Sequence, residues 1–293
     1  MRNILVLGGT SYFGKKLVQK LIENGDRVTI ATRGNQAGNF GGRAAHLKIE
    51  RGDRASMNKA FEGKEWDLLY DQSCLASREA LDAAEALKDK TSRYIFTSTQ
   101  AVYDFGTNHR EESFDPIAFP FTLKKRGEYQ GYEGYQEAKR ASEAIFFQKD
   151  YFHTAAVRMP IVVSEDDYTE RLKFHVERVS NSQPVGIPHP EFRYSFIQAD
   201  EAADFLFRLG KSDFTGPINP GCKEDISLAE LMEKIGEIAE KPPLIEQAVT
   251  KENASPYALP GSWSIDTGMA ENLGYRFSAL DDVLDPLIRY WNK

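Results

Sequence analysis

The chain has 293 residues, 41% hydrophobic and 28% charged, enough for one large core or one and a half domains. Its net charge of −7 argues against a general affinity for nucleic acid or anionic membranes. Two cysteines, Cys74 and Cys222, make no disulfide framework, and five histidines without ligand-like spacing give no reason to expect a metal.

Met1-Arg2-Asn3 runs directly into the apolar Ile4–Leu7, too short a stretch for a signal sequence, and no apolar run reaches membrane-spanning length. A soluble, cytoplasmic protein is expected. The one basic run, Lys124-Lys125-Arg126, reads as a solvated loop.

In chain order, the runs Ile4–Leu7, Val28–Ala31, His46–Glu50, Leu68–Tyr70, Tyr94–Phe96 and Ala155–Val157 read as strands. Amphipathic helices are expected between them, around Lys15–Glu23, Arg54–Phe61, Ser77–Leu87 and Gln136–Phe147. This alternation predicts an α/β fold, a Rossmann-like doubly wound parallel sheet that binds its ligand at the carboxyl ends of the strands.

The first strand ends at Gly8-Gly9-Thr10-Ser11-Tyr12-Phe13-Gly14 and a helix follows at once. Glycines let a pyrophosphate approach the backbone, and the helix start supplies unsatisfied N–H groups. Ser11 stands where the three-glycine spacing would place its middle glycine. The second strand ends Thr32-Arg33-Gly34, with an arginine and no carboxylate. This favours the 2′-phosphate of NADP over the 2′-hydroxyl of NAD, the alternative being that Arg33 is a plain surface charge. Asp53, ahead of Arg54, either bonds the adenine amino group or caps the next helix.

Downstream, Thr97-Ser98-Thr99 closes a strand and Tyr135 precedes Lys139 by one helical turn. That spacing puts a phenol and an ammonium on one helix face, where the cation favours the ionised phenol. Tyr12 and Lys16 share the spacing but lie inside the phosphate turn and its helix.

Together these residues resemble the extended short-chain dehydrogenase/reductases, the NAD-dependent epimerase/dehydratase group, over essentially the whole chain. Gly8–Gly14 is similar to its glycine motif, Tyr94–Tyr103 to its SSxxVY motif, Tyr135–Lys139 to its YxxxK, and Asp266–Tyr275 to its C-terminal D…LGY segment. The glycine motif also resembles an atypical subgroup that includes chloroplast stem-loop RNA-binding proteins. The resemblance implies that Thr99 bonds the reacting oxygen, Tyr135 is the acid/base, and Lys139 holds the nicotinamide ribose. It also implies a small-molecule substrate, and a homodimer formed through the two helices that include the YxxxK helix.

Departures narrow the chemistry. Gln100-Ala101 stands where the family's dehydratases carry Asp-Glu, so a sugar 4,6-dehydratase is not expected. Ile161 replaces an asparagine common in nucleotide-sugar epimerases, and Ser164-Glu165 replaces a Gly-Pro. Gln100 and Arg193 are the substrate-side candidates. Residues 104–134 read as an insertion over the active site that its glycines allow to open and close.

Residues 1–160 are expected to bind the dinucleotide and 161–293 mainly the substrate, as a small C-terminal α/β domain with segments returning to the main sheet. Its expected elements are helices at Tyr168–Val179, Ala199–Leu209, Ser227–Ala239 and Asp281–Trp291 and a strand at Arg193–Gln198. An NADP-dependent oxidoreductase or epimerase acting on a secondary alcohol or ketone, in one case a nucleotide sugar, is the leading expectation. The alternative is a non-catalytic dinucleotide sensor or RNA-binding protein on the same fold.

Overall fold

The computed structural model describes residues 1–34 and 40–292 and divides into two compact units. The first holds residues 1–102, 111–159 and 200–218; the second holds 103–110, 160–199 and the residues from 219 onward.

In the first unit the apolar runs become strands because they are covered on both faces. β1 (Asn3–Leu7), β2 (Arg27–Thr32), β3 (Ala44–Lys48), β4 (Leu68–Asp71) and β5 (Arg93–Thr99) are joined by His153–Met159 and Gly216–Ile218. Across the seven-stranded sheet the order is 216–218, 153–159, β5, β4, β1, β2, β3, with every neighbouring pair parallel. Ile4–Leu7 have no exposed surface, as a doubly covered parallel sheet requires. The arrangement is the Rossmann-like one expected. β3 lies two residues earlier than its apolar run suggested, because it pairs in register with Val28–Thr32.

Connecting helices are α1 (Tyr12–Glu23), α2 (Arg54–Phe61), α3 (Ser77–Leu87), α4 (Gly131–Lys149) and Ala199–Leu209. α3 packs on α4, and both bury alanines, Ala80, Ala83 and Ala84 on one and Ala138 and Ala141 on the other. From β1 the chain continues toward β2 and β3 on one side, and from β4 toward β5 on the other. The carboxyl ends of β1 and β4 therefore flank the topological switch point, where open α/β sheets bind ligands.

A buried ion pair ties α4 to the sheet. The Arg158 and Glu143 side chains are 0% exposed and 2.8 Å apart. Arg158 also donates to the carbonyls of Glu111 (2.7 Å) and Phe114 (3.0 Å), and the Ser98 hydroxyl donates to Glu143.

These bonds correct the reading of residues 104–134 as an insertion that opens and closes. Gly106–His109 is a strand of the second unit, parallel to Trp263–Ile265. Residues 111–114 are held by Arg158. Further on, the Ser77 hydroxyl at the start of α3 donates to the Thr122 carbonyl (2.9 Å) and accepts from the Lys124 N–H (2.8 Å). Arg126 donates twice to Glu79, at 2.8 and 2.9 Å. Gly134 serves close packing, since a Cβ there would lie 2.8 Å from the Tyr129 backbone. Phe114 packs edge-on against Phe119, their centroids 5.4 Å apart.

The second unit is built on a sheet ordered 225–227, 193–198, 263–265, 106–109, with 161–163 also pairing 193–198. Its helices are Arg171–Ser180, Leu228–Ala239, Gly268–Asn272 and Leu280–Trp291. Ser227 and Glu230 form the expected capping box. The helix expected from Tyr168 begins only at Arg171, because Glu170 before it is left-handed (φ 52°). The strands at 161–163, 225–227 and 263–265 have three residues each and show no alternation that a sequence pattern can register.

His175, fully buried in this unit, donates from Nδ1 to the Arg171 carbonyl (2.7 Å) and meets the Ser255 hydroxyl with Nε2 (2.8 Å). Its ring stacks on Tyr257 at 4.9 Å. Burial lowers its pKa to about 4 against an ordinary 6.5, although the Arg171 carbonyl pulls the other way. The unfolded chain takes up this proton first, so the stabilisation is complete above about pH 6.5 and is lost as pH falls toward 4. Urea denaturation across that range should show a loss on the order of 3 kcal/mol from this group, and His175→Gln should flatten the profile. An unchanged slope in the variant would contradict the assignment.

Candidate active site

The glycine turn has the geometry that its residues imply. Gly8 (φ 94°) and Gly9 (φ 77°) adopt left-handed conformations, and a Cβ on Gly9 would lie 2.7 Å from the Val6 side chain. A Cβ on Gly14 would come within 3.2 Å of the Gly9 Cα, so helix and strand meet closely here. Ser11 is the N-cap of α1 but its side chain makes no capping bond. Thr10, Tyr12 and Phe13 are half-buried, and the Tyr12 and Phe13 rings meet edge-on at 5.6 Å. The first N–H groups of α1 have no acceptor within their own helix, as at every helix start.

At the end of β2, Arg33 is exposed. The Thr32 hydroxyl beside it contacts His46 Nε2 at 2.8 Å and accepts from the Gly34 N–H at 3.1 Å. Asp53 caps α2, accepting from the Ala55 N–H at 2.9 Å. Arg54 pairs with Asp82 at 2.9 Å. In α1, Lys16 is paired with Asp200 at 3.1 Å, which accounts for the second Tyr–Lys spacing.

α4 carries both Tyr135 and Lys139. Lys139 is only 5% exposed, yet its ammonium makes a single hydrogen bond among the described residues, to the Thr97 carbonyl at 2.9 Å. It also sits 4.8 Å above the Phe96 ring. Thr97 lies two residues before Thr99, so the ammonium is fixed to the same strand end that carries the candidate hydroxyl. Thr99 is nearly buried and accepts from the Ala101 N–H at 3.2 Å. Tyr135 lies one turn nearer the helix start, about 6 Å along the axis. It is 41% exposed, and its hydroxyl has no hydrogen-bond partner among the described residues.

Gln100 is buried in the 3₁₀ turn after β5, and its Oε1 has no partner among the described residues. Arg193, in the second unit, is committed within that unit to Asp225 (2.7 Å) and Glu230 (3.0 Å).

Two features escaped the sequence reading. Asp71 ends β4 and receives both terminal nitrogens of Arg51, one at 2.7 Å, together with the Tyr94 hydroxyl at 2.6 Å. Burial, followed by the Asp71 charge, pushes the Tyr94 phenol well above its usual value. Gln72 follows directly, donating from Nε2 to the Thr97 hydroxyl at 2.7 Å. The available signal was positional, since residues just past a buried strand line the carboxyl edge of the sheet.

The profile of the NAD dependent epimerase/dehydratase family matches residues 4–217. The chain belongs to this family. Among curated relatives, the chloroplast stem-loop binding protein of 41 kDa b from Arabidopsis thaliana is 24% identical over 227 residues, 71% of this chain and 55% of that protein. This chain thus spans little more than half the length of that relative. UDP-glucuronic acid decarboxylase 6 from the same plant is 26% identical over 267 residues, 80% of this chain and 74% of that one.

Solved structures of the same fold include WbmG of Bordetella bronchiseptica in complex with NAD and UDP. It has a TM-score of 0.75 at 14% identity and covers 99% of this chain and 94% of its own. The UDP-glucose 4-epimerase of Thermotoga maritima with UDP-glucose has a TM-score of 0.73 at 19% identity, covering 99% and 98%. At such identities the likeness is one of fold. Within this chain, the glycine turn at the switch point and a buried ammonium with donors to spare fit a dinucleotide. Among the described residues no cluster of three His, Cys, Asp or Glu is placed to hold a metal, and no helix is long and apolar enough to cross a membrane.

Proposed function

We propose that the chain is an NADP-dependent oxidoreductase or epimerase acting on a secondary alcohol or ketone of a nucleotide sugar. Lys139 carries this reading: a buried ammonium with one carbonyl partner is costly unless a ligand supplies further acceptors. Ribose hydroxyls of a dinucleotide held by Gly8–Gly14 would supply them. When bound, the nicotinamide ring provides the hydride acceptor and donor.

In this reading the Thr99 hydroxyl bonds the substrate oxygen, and the Tyr135 hydroxyl takes the alcohol proton during oxidation and returns it during reduction. Lys139 holds the helix that carries Tyr135 against β5 through Thr97. Gln100 and Ala101 offer no acid or base, which favours oxidation, reduction or epimerisation over elimination. The nucleotide-sugar assignment draws on the relatives named for UDP-glucuronic acid and UDP-glucose. Arg193, already doubly paired, is given no substrate contact. One observation supports a non-catalytic RNA-binding reading, the similarity to a stem-loop binding protein, and the net charge of −7 counts against it.

NADP rests on Arg33 and on the missing carboxylate at the end of β2. Fluorescence titration should show NADPH bound more tightly than NADH by wild type. Arg33→Ala should weaken NADPH about tenfold and leave NADH unchanged, the size expected for one charge-assisted contact. Equal affinities for the two cofactors in wild type would leave the enzyme reading intact and remove the preference for NADP.

A further inference from the structure

We propose that Gln72 is a cofactor-positioning residue whose amide oxygen accepts a hydroxyl of the nicotinamide-side ribose and ties the glycine turn to Lys139. The inference rests on the dinucleotide reading above and adds to it a residue outside the Thr99, Tyr135 and Lys139 set.

Gln72 stands immediately past β4, at the switch point beside β1. Its backbone N–H donates to the Leu7 carbonyl at 2.9 Å, which places it against the start of the glycine turn. A Cβ on Gly8 would lie 3.4 Å from its Cβ, and a Cβ on Gly14 would lie 3.6 Å from its Oε1. The other end of the amide is fixed, since Nε2 donates to the Thr97 hydroxyl. That leaves Oε1 buried, without a partner among the described residues, at the edge of the turn.

An amide oxygen can only accept. A pyrophosphate also offers only acceptors, so the phosphates that a glycine turn attracts cannot satisfy Oε1. The donors of a pyridine dinucleotide are its ribose hydroxyls and the amino groups at its two ends. Thr97 selects among them. Its hydroxyl holds Gln72 and its carbonyl holds Lys139, so both side chains are registered on one residue of β5, two positions before Thr99. The oxygen therefore belongs with the half of the dinucleotide that carries the reactive ring.

The test is calorimetric titration of wild type, Gln72→Met, which keeps the length and removes the amide, and Thr97→Val, which removes its anchor. The ligands are NADPH against 2′,5′-ADP and NADH against 5′-AMP, so that each dinucleotide is compared with its adenosine half. Both variants should bind the preferred dinucleotide about 5- to 30-fold more weakly and its adenosine half within about twofold of wild type. Equal losses on whole and half ligand would mean structural damage and would overturn the inference. So would unchanged dinucleotide affinity in Gln72→Met. Failure of wild type to bind either dinucleotide would overturn the reading beneath it as well.

Discussion

Tyr135→Phe is expected to lower kcat by a factor of about 10² to 10⁴, the usual contribution of a positioned acid or base, with dinucleotide affinity within about threefold of wild type. The hydroxyl it removes makes no hydrogen bond to the described residues, and the ring stays, so neither fold nor cofactor site should suffer. Turnover of UDP- and dTDP-hexoses followed by NMR would measure it. Losing kcat with little change in KM would mark an interaction made in the transition state. Undiminished turnover would take Tyr135 out of the mechanism.

The second large effect concerns stability. Arg158→Met should lower the unfolding free energy by about 3–5 kcal/mol, because it strands Glu143 as an uncompensated charge in a dry interior. The loss would reach function, since Glu143 lies one turn past Lys139 on α4 and binds Ser98 between Thr97 and Thr99. Replacing both partners, Arg158→Met with Glu143→Leu, should recover part of the loss, because an apolar pair no longer buries a lone charge. Denaturation showing Arg158→Met within about 1 kcal/mol of wild type would contradict this account of the pair.

Much of this fold was written in periodicity. Apolar runs such as Ile4–Leu7 and Leu68–Tyr70, followed by Gly8-Gly9 or by helical spacing, are what a doubly covered parallel sheet needs, and they became β1 and β4. The glycine turn and the Tyr135–Lys139 helix were legible because each depends on local spacing. Gln72 and Asp71 were not, because their meaning comes from strands far apart in sequence. Tyr94 reaches Asp71, and Thr97 reaches Gln72, only once β4 lies beside β5, and Arg51 reaches Asp71 from the loop after β3. The segment 104–134 misled for the same reason. Its glycines suggested a segment that opens and closes, whereas Ser77, Glu79 and Arg158 tether it from positions that no local pattern reveals.

Recovery of bound nucleotide tests the dinucleotide reading most directly. Freshly purified protein, incubated with millimolar NADPH or NADH and freed of excess by gel filtration, would be denatured and the released nucleotide identified by mass spectrometry. Close to one pyridine dinucleotide per wild-type chain is expected, with a marked loss in Lys139→Met. Wild type that releases none, or a Lys139→Met variant that retains a full complement, would contradict the role given to the buried ammonium.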